Sequence, residues 1–395
     1  AGWRGFISPL DTVTLGQLGT QIELHVVNSA SSGDNRNAYF WREDSANWYA
    51  FTSSTVSIHD QAINLYVFNP DSTPIRLCGL YDTGSVDFGT LSFTAGNSQK
   101  EGWHFIGNPF PHPIRWSTGN YPNGTNGNYA IWSNADGNYR PWNGSVGSAG
   151  DVIPAFQGFW VKVDQALTQG FQLSPKQWDS AQINHFGKKD KSEGLKLQIS
   201  SLQNQQRDEL YLYPLSEGNT IPPIPKRSGL ASAPELALRQ GLLMYSGLPD
   251  TAFGPIPLYL RIPEQGKYLW SCDGPSCEDW VLVDLLHQKD YTLSDSPFII
   301  EMDEQKGKEV QYVLQRVPTK VPQLSVTKES IGYYPGGFLL PHGTKNLSLY
   351  ALDGKLIVRE ALPPVKWTPP ACAAGWYLLT FQKDSNTIHQ LIFIP

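Results

Sequence analysis

Four groups of residues in this chain have the chemistry to act on another molecule. The first is the carboxylate pairs Asp208-Glu209 and Glu278-Asp279. General acid/base work needs two carboxyls aimed at one bond, whereas neighbours along a strand point to opposite faces. Each pair therefore reads as solvated strand-edge or turn charge. The second is His104 and His112, which flank Asn108-Pro109-Phe110-Pro111. Two imidazoles that close can coordinate an ion, and hydrogen-bonded turn histidines are the plainer reading. The third is Cys272 and Cys277 in Ser-Cys-Asp-Gly-Pro-Ser-Cys-Glu-Asp. A disulfide there would close a short loop, worth about 2 kcal/mol in the chain-entropy account; free thiols are the alternative. A metal centre needs two more ligands, and no Cys/His spacing supplies them. Cys78 and Cys372 lie far apart and read as small buried residues.

The fourth group is aromatic. Trp116, Trp132, Tyr139 and Trp142 stand close in sequence among Asn120, Asn123, Asn126, Asn128, Asn134 and Asn138. Flat rings stack on sugar C–H faces and amides meet hydroxyls, so these four are the candidate ligand-binding residues. The competing reading makes them cross-strand pairs that hold hairpins and core together. The same Asn/Gly stretch offers oxygens to calcium, without the acid density of a good site. No nucleophile elbow, His-Glu-x-x-His, phosphate loop or Rossmann glycine pattern occurs. The expectation is a protein that is not an enzyme and uses no cofactor and no metal.

The elements that carry these residues are strands. The chain has 395 residues, more than one core usually holds. It has 13 Trp, 18 Tyr and 17 Phe beside 36 Gly and 30 Pro, the composition of short strands joined by tight turns. Charged residues are 17%, against about 25% in an average soluble domain. The net charge is −6 and the only Lys-rich run, Lys188-Lys189-Asp190-Lys191, contains an acid, so no nucleic-acid partner is expected. No apolar run nears the roughly 18 residues of a membrane span. Ala1 opens no charged-then-apolar leader, so an export signal would already be removed or the chain would be a piece of a longer one.

Residues 1–182 contain an internal repeat. Gly2-Trp3-Arg4-Gly5-Phe6-Ile7-Ser8-Pro9 returns as Gly102-Trp103-His104-Phe105-Ile106-Gly107-Asn108-Pro109. Trp41 and Trp48 bracket a polar turn, and Trp132 and Tyr139 do so at the same spacing, which predicts a β-hairpin in each half. Each half then closes on an apolar strand, Ile63 to Phe68 and Phe156 to Val163. Two related sheets face to face, or one intertwined sandwich, follow. A polar, basic stretch from Gln182 to Gly194 reads as a linker. Residues 195–317 resume strict alternation and predict about seven strands, which suits an immunoglobulin-like sandwich. Pro234 to Gly241 is the best helix candidate. After the link Val317 to Pro322, residues 323–395 form several short strands, with a hairpin turn at Leu352-Asp353-Gly354-Lys355. The expected class is all-β, with tandem β-sandwich (jelly-roll/immunoglobulin-like) domains.

The last segment resembles the C-terminal sorting domain of Bacteroidota type IX secretion cargo proteins. The resemblance rests on Leu347 to Val358 around the Asp353-Gly354-Lys355 turn, on Gly375-Trp376-Tyr377 opening a strand, and on the terminal run Ile388 to Ile394. The chain departs from that pattern where His389-Gln390 stands in place of Lys and around Pro369, Pro370 and Cys372. Gly102 to Pro111 with Gln157-Gly158-Phe159-Trp160-Val161, and Arg207-Asp208-Glu209-Leu210 with Val281 to Asp284, are similar to modules found upstream of that signal. The resemblance implies export by the type IX translocon, handling by its surface-attachment machinery, and a secreted or outer-surface location. It also implies O-glycosylation at Asp-Ser/Thr followed by a small or apolar residue. Such triplets place glycans on Thr12, Ser45, Ser72, Ser180 and Thr251, five sites where composition alone predicts about one. The expected function is a non-catalytic structural or adhesin-like surface protein. The alternatives are a carbohydrate-binding module that takes polysaccharide, and a subunit that self-associates into filaments through strand edges.

Overall fold

The computed structural model describes residues 2–26, 36–59, 61–68, 75–80, 84–96, 100–116, 121–122, 124–175, 194–214, 222–240, 243–250, 255–275, 277–294, 296–306, 311–317, 332–334, 337–340, 343–351, 355–372, 375–383 and 386–394. The protein is nearly all β, as the turn-rich aromatic composition requires.

The first repeat has strands β1 (Gly2–Phe6), β2 (Ala38–Arg42), β3 (Asn47–Ala50) and β4 (Ile63–Val67), with one short helix, α1 (Leu15–Gly19). The second has β5 (Val86–Asp87), β6 (Trp103–Gly107), β7 (Ile114–Arg115), β8 (Tyr129–Ser133), β9 (Asn138–Trp142), β10 (Val152–Ile153), β11 (Gly158–Lys162) and β12 (Gln172–Leu173). The two four-stranded sheets have the same order, β1-β4-β2-β3 and β6-β11-β8-β9. Their registers correspond residue by residue. Trp41 opposes Trp48 as Trp132 opposes Tyr139, and Trp3 opposes Tyr66 as Trp103 opposes Lys162.

Alternation gives each sheet two faces. One face covers the repeat's own core, built on Leu15, Leu18, Ile63 and Leu65 in the first and on Trp116, Tyr129, Phe159 and Val161 in the second. The other faces meet each other across a shared layer of Trp41, Trp48, Trp103, Phe105, Tyr139 and Trp160. The repeats are thus two related sheets face to face. They touch closely where neither carries a side chain. A Cβ on Gly158 would lie 2.8 Å from the Gly5 backbone, and one on Gly5 would lie 2.7 Å from the Gly158 carbonyl oxygen. Beside that contact, Phe6 bridges Gln157, and Ile7 N donates to Phe156 O at 3.1 Å.

Residues 195–316 build one larger sheet from β13 (Leu195–Ser201), β14 (Arg207–Tyr213), β15 (Ile224–Pro225), β16 (Glu235–Gln240), β17 (Leu243–Pro249), β18 (Ile256–Ile262), β19 (Gly266–Asp273), β20 (Trp280–Asp284), β21 (Lys289–Thr292), β22 (Phe298–Met302), β23 (Gln305–Lys306) and β24 (Tyr312–Arg316). The path runs β21-β20-β24-β18-β16-β17-β14-β13-β19-β22, with β15 on β17 and β23 on β18. It curls until its ends meet, where Tyr291 of β21 stacks on Phe298 of β22 at 5.2 Å and 9°. Cys272 and Cys277 are joined by a disulfide that ties β19 to the 3-10 turn before β20.

Two expectations fail here. The seven-stranded unit has twelve strands, because short pieces such as β15 and β23 carry too little alternation to register. The helix expected over Pro234 to Gly241 is absent from its described residues: Glu235–Gln240 form β16, held between β17 and β18, with Leu236, Ala237 and Leu238 fully buried, and Gly241 lies outside the described residues. Burial on both faces of a central strand outweighs the helix preference of Leu and Ala.

The C-terminal unit comprises β25 (Gly332–Tyr334), β26 (Gly337–Leu339), β27 (Lys345–Ala351), β28 (Leu356–Glu360), β29 (Lys366–Trp367), β30 (Gly375–Lys383) and β31 (Asn386–Ile394). A three-stranded sheet, β25-β26-β29, and a four-stranded one, β28-β27-β30-β31, enclose Phe338, Leu347, Leu349, Trp367, Leu379 and Phe381.

The backbone contact between the repeats leaves no room for a methyl group. Gly158→Ala should cost about 2 kcal/mol, the usual penalty of overpacking. Chemical denaturation followed by tryptophan fluorescence checks this; unchanged stability would mean that the sheets do not meet there.

Candidate functional site

The layer between the repeats gathers aromatic rings from both of them. Its hub is Trp160, 1% exposed. Trp41, Trp48, Phe105, Tyr139 and Trp103 surround it with ring centroids at 4.9, 5.2, 5.1, 6.2 and 6.3 Å, mostly edge to face. Such pairs contribute about 0.5–1.5 kcal/mol each beyond their burial. The hairpin turns also reach across. Glu43 and Asn134 hold the same position in their repeats. The Glu43 carboxylate accepts from Ser92 Oγ, Thr94 N and Thr94 Oγ, each at 2.8 Å, and from Gly102 N at 3.0 Å. Asn134 binds Trp3 twice, accepting from its N–H at 2.9 Å and donating to its carbonyl at 2.8 Å. Burial alone would raise the Glu43 carboxyl, but its four donors hold it below the usual carboxylate range.

A strap from the larger sheet, residues 222–234, closes this layer. Extended chain sends successive side chains to opposite sides. Lys226 turns back to pair with Asp208, both almost fully buried, while Arg227 enters the layer. Its guanidinium carbon sits 3.4 Å from the Trp160 ring centre, 4.7 Å from Trp41, 5.5 Å from Trp103 and 5.7 Å from Tyr139. Burial lowers the Arg227 pKa to about 10, so it stays charged at neutral pH. Burial likewise raises Asp208 to about 6 against the pull of Lys226.

Amides of the second repeat read the strap's backbone. Asn143 Nδ2 donates to Pro222 O at 2.9 Å, Asn128 Nδ2 to Pro223 O at 3.0 Å and Asn138 Nδ2 to Pro234 O at 3.0 Å. Leu230 N donates to Gly137 O at 2.8 Å. Beside them Asp136 pairs with both Arg140 and Arg207.

These contacts decide the fate of the sequence candidates. Trp116 and Trp142 are core residues of the second repeat. They are 0% and 4% exposed in the second repeat's core, and their indole N–H groups donate to Gly127 O and Trp116 O. Trp132 and Tyr139 form an edge-to-face pair at 5.0 Å, and Tyr139 also lies beside Arg227. Asn128, Asn134 and Asn138 bind backbone of this chain; Asn120 and Asn123 lie outside the described residues. His104 and His112 do not converge on one site. Nε2 of the first contacts Ser92 O, and Nδ1 of the second contacts Pro113 O. Asp208 and Glu209 face opposite ways, toward Lys226 and Lys196. Among the described residues no three His, Cys, Asp or Glu side chains are placed to share a metal, and no helix is long and apolar enough to cross a membrane.

Thr12 and Ser45 are exposed, and the Ser45 hydroxyl donates to Asp44; Ser72, Ser180 and Thr251 lie outside the described residues. Asp353 and Gly354 lie outside them too. The strands flanking that turn pair with each other, Lys355 is exposed, Gly375 opens β30 and Tyr377 is buried at 8% exposure. Sequence reasoning missed Lys226, Arg227 and Glu43. The one available signal was a Lys-Arg pair isolated in a Pro-rich stretch.

Compared with protein-family models, with curated proteins and with solved structures, the chain matches none.

Glu43 gives the layer a pH dependence. Its folded pKa is depressed, so its contribution is present above the unfolded pKa of about 4.3 and is lost as pH falls through the lower folded value. Glu43→Gln should lose about 2 kcal/mol at pH 7 and less at pH 3. Urea midpoints at both pH values check this; an equal loss at both would refute the role of the charge.

Proposed function

We propose that the protein is a non-catalytic structural or adhesin-like surface protein exported by the type IX secretion system. The observation that carries this reading is the C-terminal unit. An address tag must fold whatever precedes it, and residues 332–394 have a core of their own under a four-stranded antiparallel sheet. That sheet contains the strands that resemble the sorting domain, and its last two, β30 and β31, pair over nine residues. The upstream units support the non-catalytic part. Their buried carboxylates Glu43, Asp136, Asp208, Glu235 and Asp284 hold loops, strands and neighbouring units together, through partners such as Gly102, Arg207, Lys226, Ser228 and His287. A carbohydrate site on Trp116 and Trp142 is set aside by their burial.

Deleting residues 323–395 in the native host should trap the protein in the periplasm, and normal export of the truncated chain would refute the signal. Mass spectrometry of the exported protein should find glycans on Thr12 and Ser45, both exposed; finding both bare would remove the glycosylation reading.

A further inference from the structure

The repeats share one register, so the second-repeat residues that line the Arg227 site have counterparts in the first repeat. Trp3 corresponds to Trp103, Asn64 to Trp160, Tyr66 to Lys162 and Tyr39 to Ala130, because Tyr39 opposes Asn64 as Ala130 opposes Trp160. Covered by the strap, Trp103, Ala130 and Trp160 are 1–2% exposed. Trp3, Asn64 and Tyr66 are only half-buried, and Phe68 beside them is 40% exposed. The rings are nevertheless ordered against one another. Trp3 meets Tyr66 at 5.2 Å and Tyr39 at 5.8 Å, and Tyr66 meets Phe68 at 5.3 Å, all edge to face.

We infer that the Trp3–Tyr66–Asn64 surface of the first repeat is the counterpart of the Arg227 site and binds an extended, arginine-bearing segment of a partner protein. The chain itself shows what such a face takes, since the equivalent face of the second repeat is covered by the segment 222–234, whose part before the turn at 231–233 carries Arg227 in among the rings. Two of the exchanged residues favour an incoming guanidinium. Lys162, whose ammonium shares the Trp103 ring with Arg227, is replaced by neutral Tyr66, which removes a like charge. Trp160 is replaced by Asn64, which trades a stacking face for an amide oxygen that can accept from the guanidinium. Asn138, which binds the strap's carbonyl at Pro234, has an identical counterpart in Asn47, which is exposed. This surface lies far in sequence from the sorting segment, and its binding is separable from export.

The test uses the full chain and a synthetic peptide of residues 222–234, titrated by calorimetry. The expected result is saturable binding that weakens at least about tenfold when the peptide carries Arg227→Ala, or when the protein carries Trp3→Ala or Tyr66→Ala. The peptide variant leaves the protein untouched, so its effect cannot come from unfolding. No binding at millimolar peptide overturns the inference. So does binding indifferent to Trp3 and Tyr66, which would mean that the peptide displaces the resident strap. Retention on polysaccharide that depends on Trp3, with no peptide binding, would make the surface a sugar site and equally overturn it.

Discussion

A guanidinium held 3.4 Å from the centre of Trp160 is the interaction on which the arrangement of the two four-stranded repeat sheets and the larger sheet depends. A desolvated cation is costly, and an aromatic face offsets part of that cost only when water is kept away. Arg227 therefore needs a closed layer, and the layer needs Arg227 to close it. Four rings from two repeats surround the cation, and the strap that delivers it is fixed on both sides. Neither repeat can supply this alone, because Trp41 comes from one and Trp103, Tyr139 and Trp160 from the other.

The polar groups follow from the same constraint. A sheet that buries both faces leaves its hairpin turns as the places where charge and amide can act. Glu43 and Asn134 use those turns to hold the opposite repeat, and Asp136 and Asn138 use them to hold the larger sheet. The interface between the second repeat and the larger sheet is thus read mainly through backbone carbonyls. Val146, Tyr211, Tyr213 and Ile224 form a small apolar cluster beneath it.

Much of this was legible in the sequence. The Trp41/Trp48 and Trp132/Tyr139 spacings are the facing pairs of two equivalent hairpins, and the repeated Gly-Trp opens β1 and β6. All-β class follows from the abundance of aromatic and turn residues. What stayed hidden depends on long-range placement. Trp116 and Trp142 sit near exposed-looking amides in sequence, yet face the core; Trp142 lies three residues beyond Tyr139 on β9, so alternation turns it to the opposite face of the sheet. Glu235 to Gln240 reads as helix by local preference and is a strand because its neighbours are strands. Arg227 belongs to no periodic pattern, so nothing local distinguishes it from a solvated loop cation.

The most direct test of the account is amide hydrogen exchange on the full chain carrying Arg227→Ala. Loss of the cation should speed exchange together in β11, in the strap and in β14, while β27 and β30 stay as protected as in the unaltered protein. Faster exchange confined to the residues next to position 227 would contradict the central claim, because it would show that the sheets hold together without the guanidinium on Trp160.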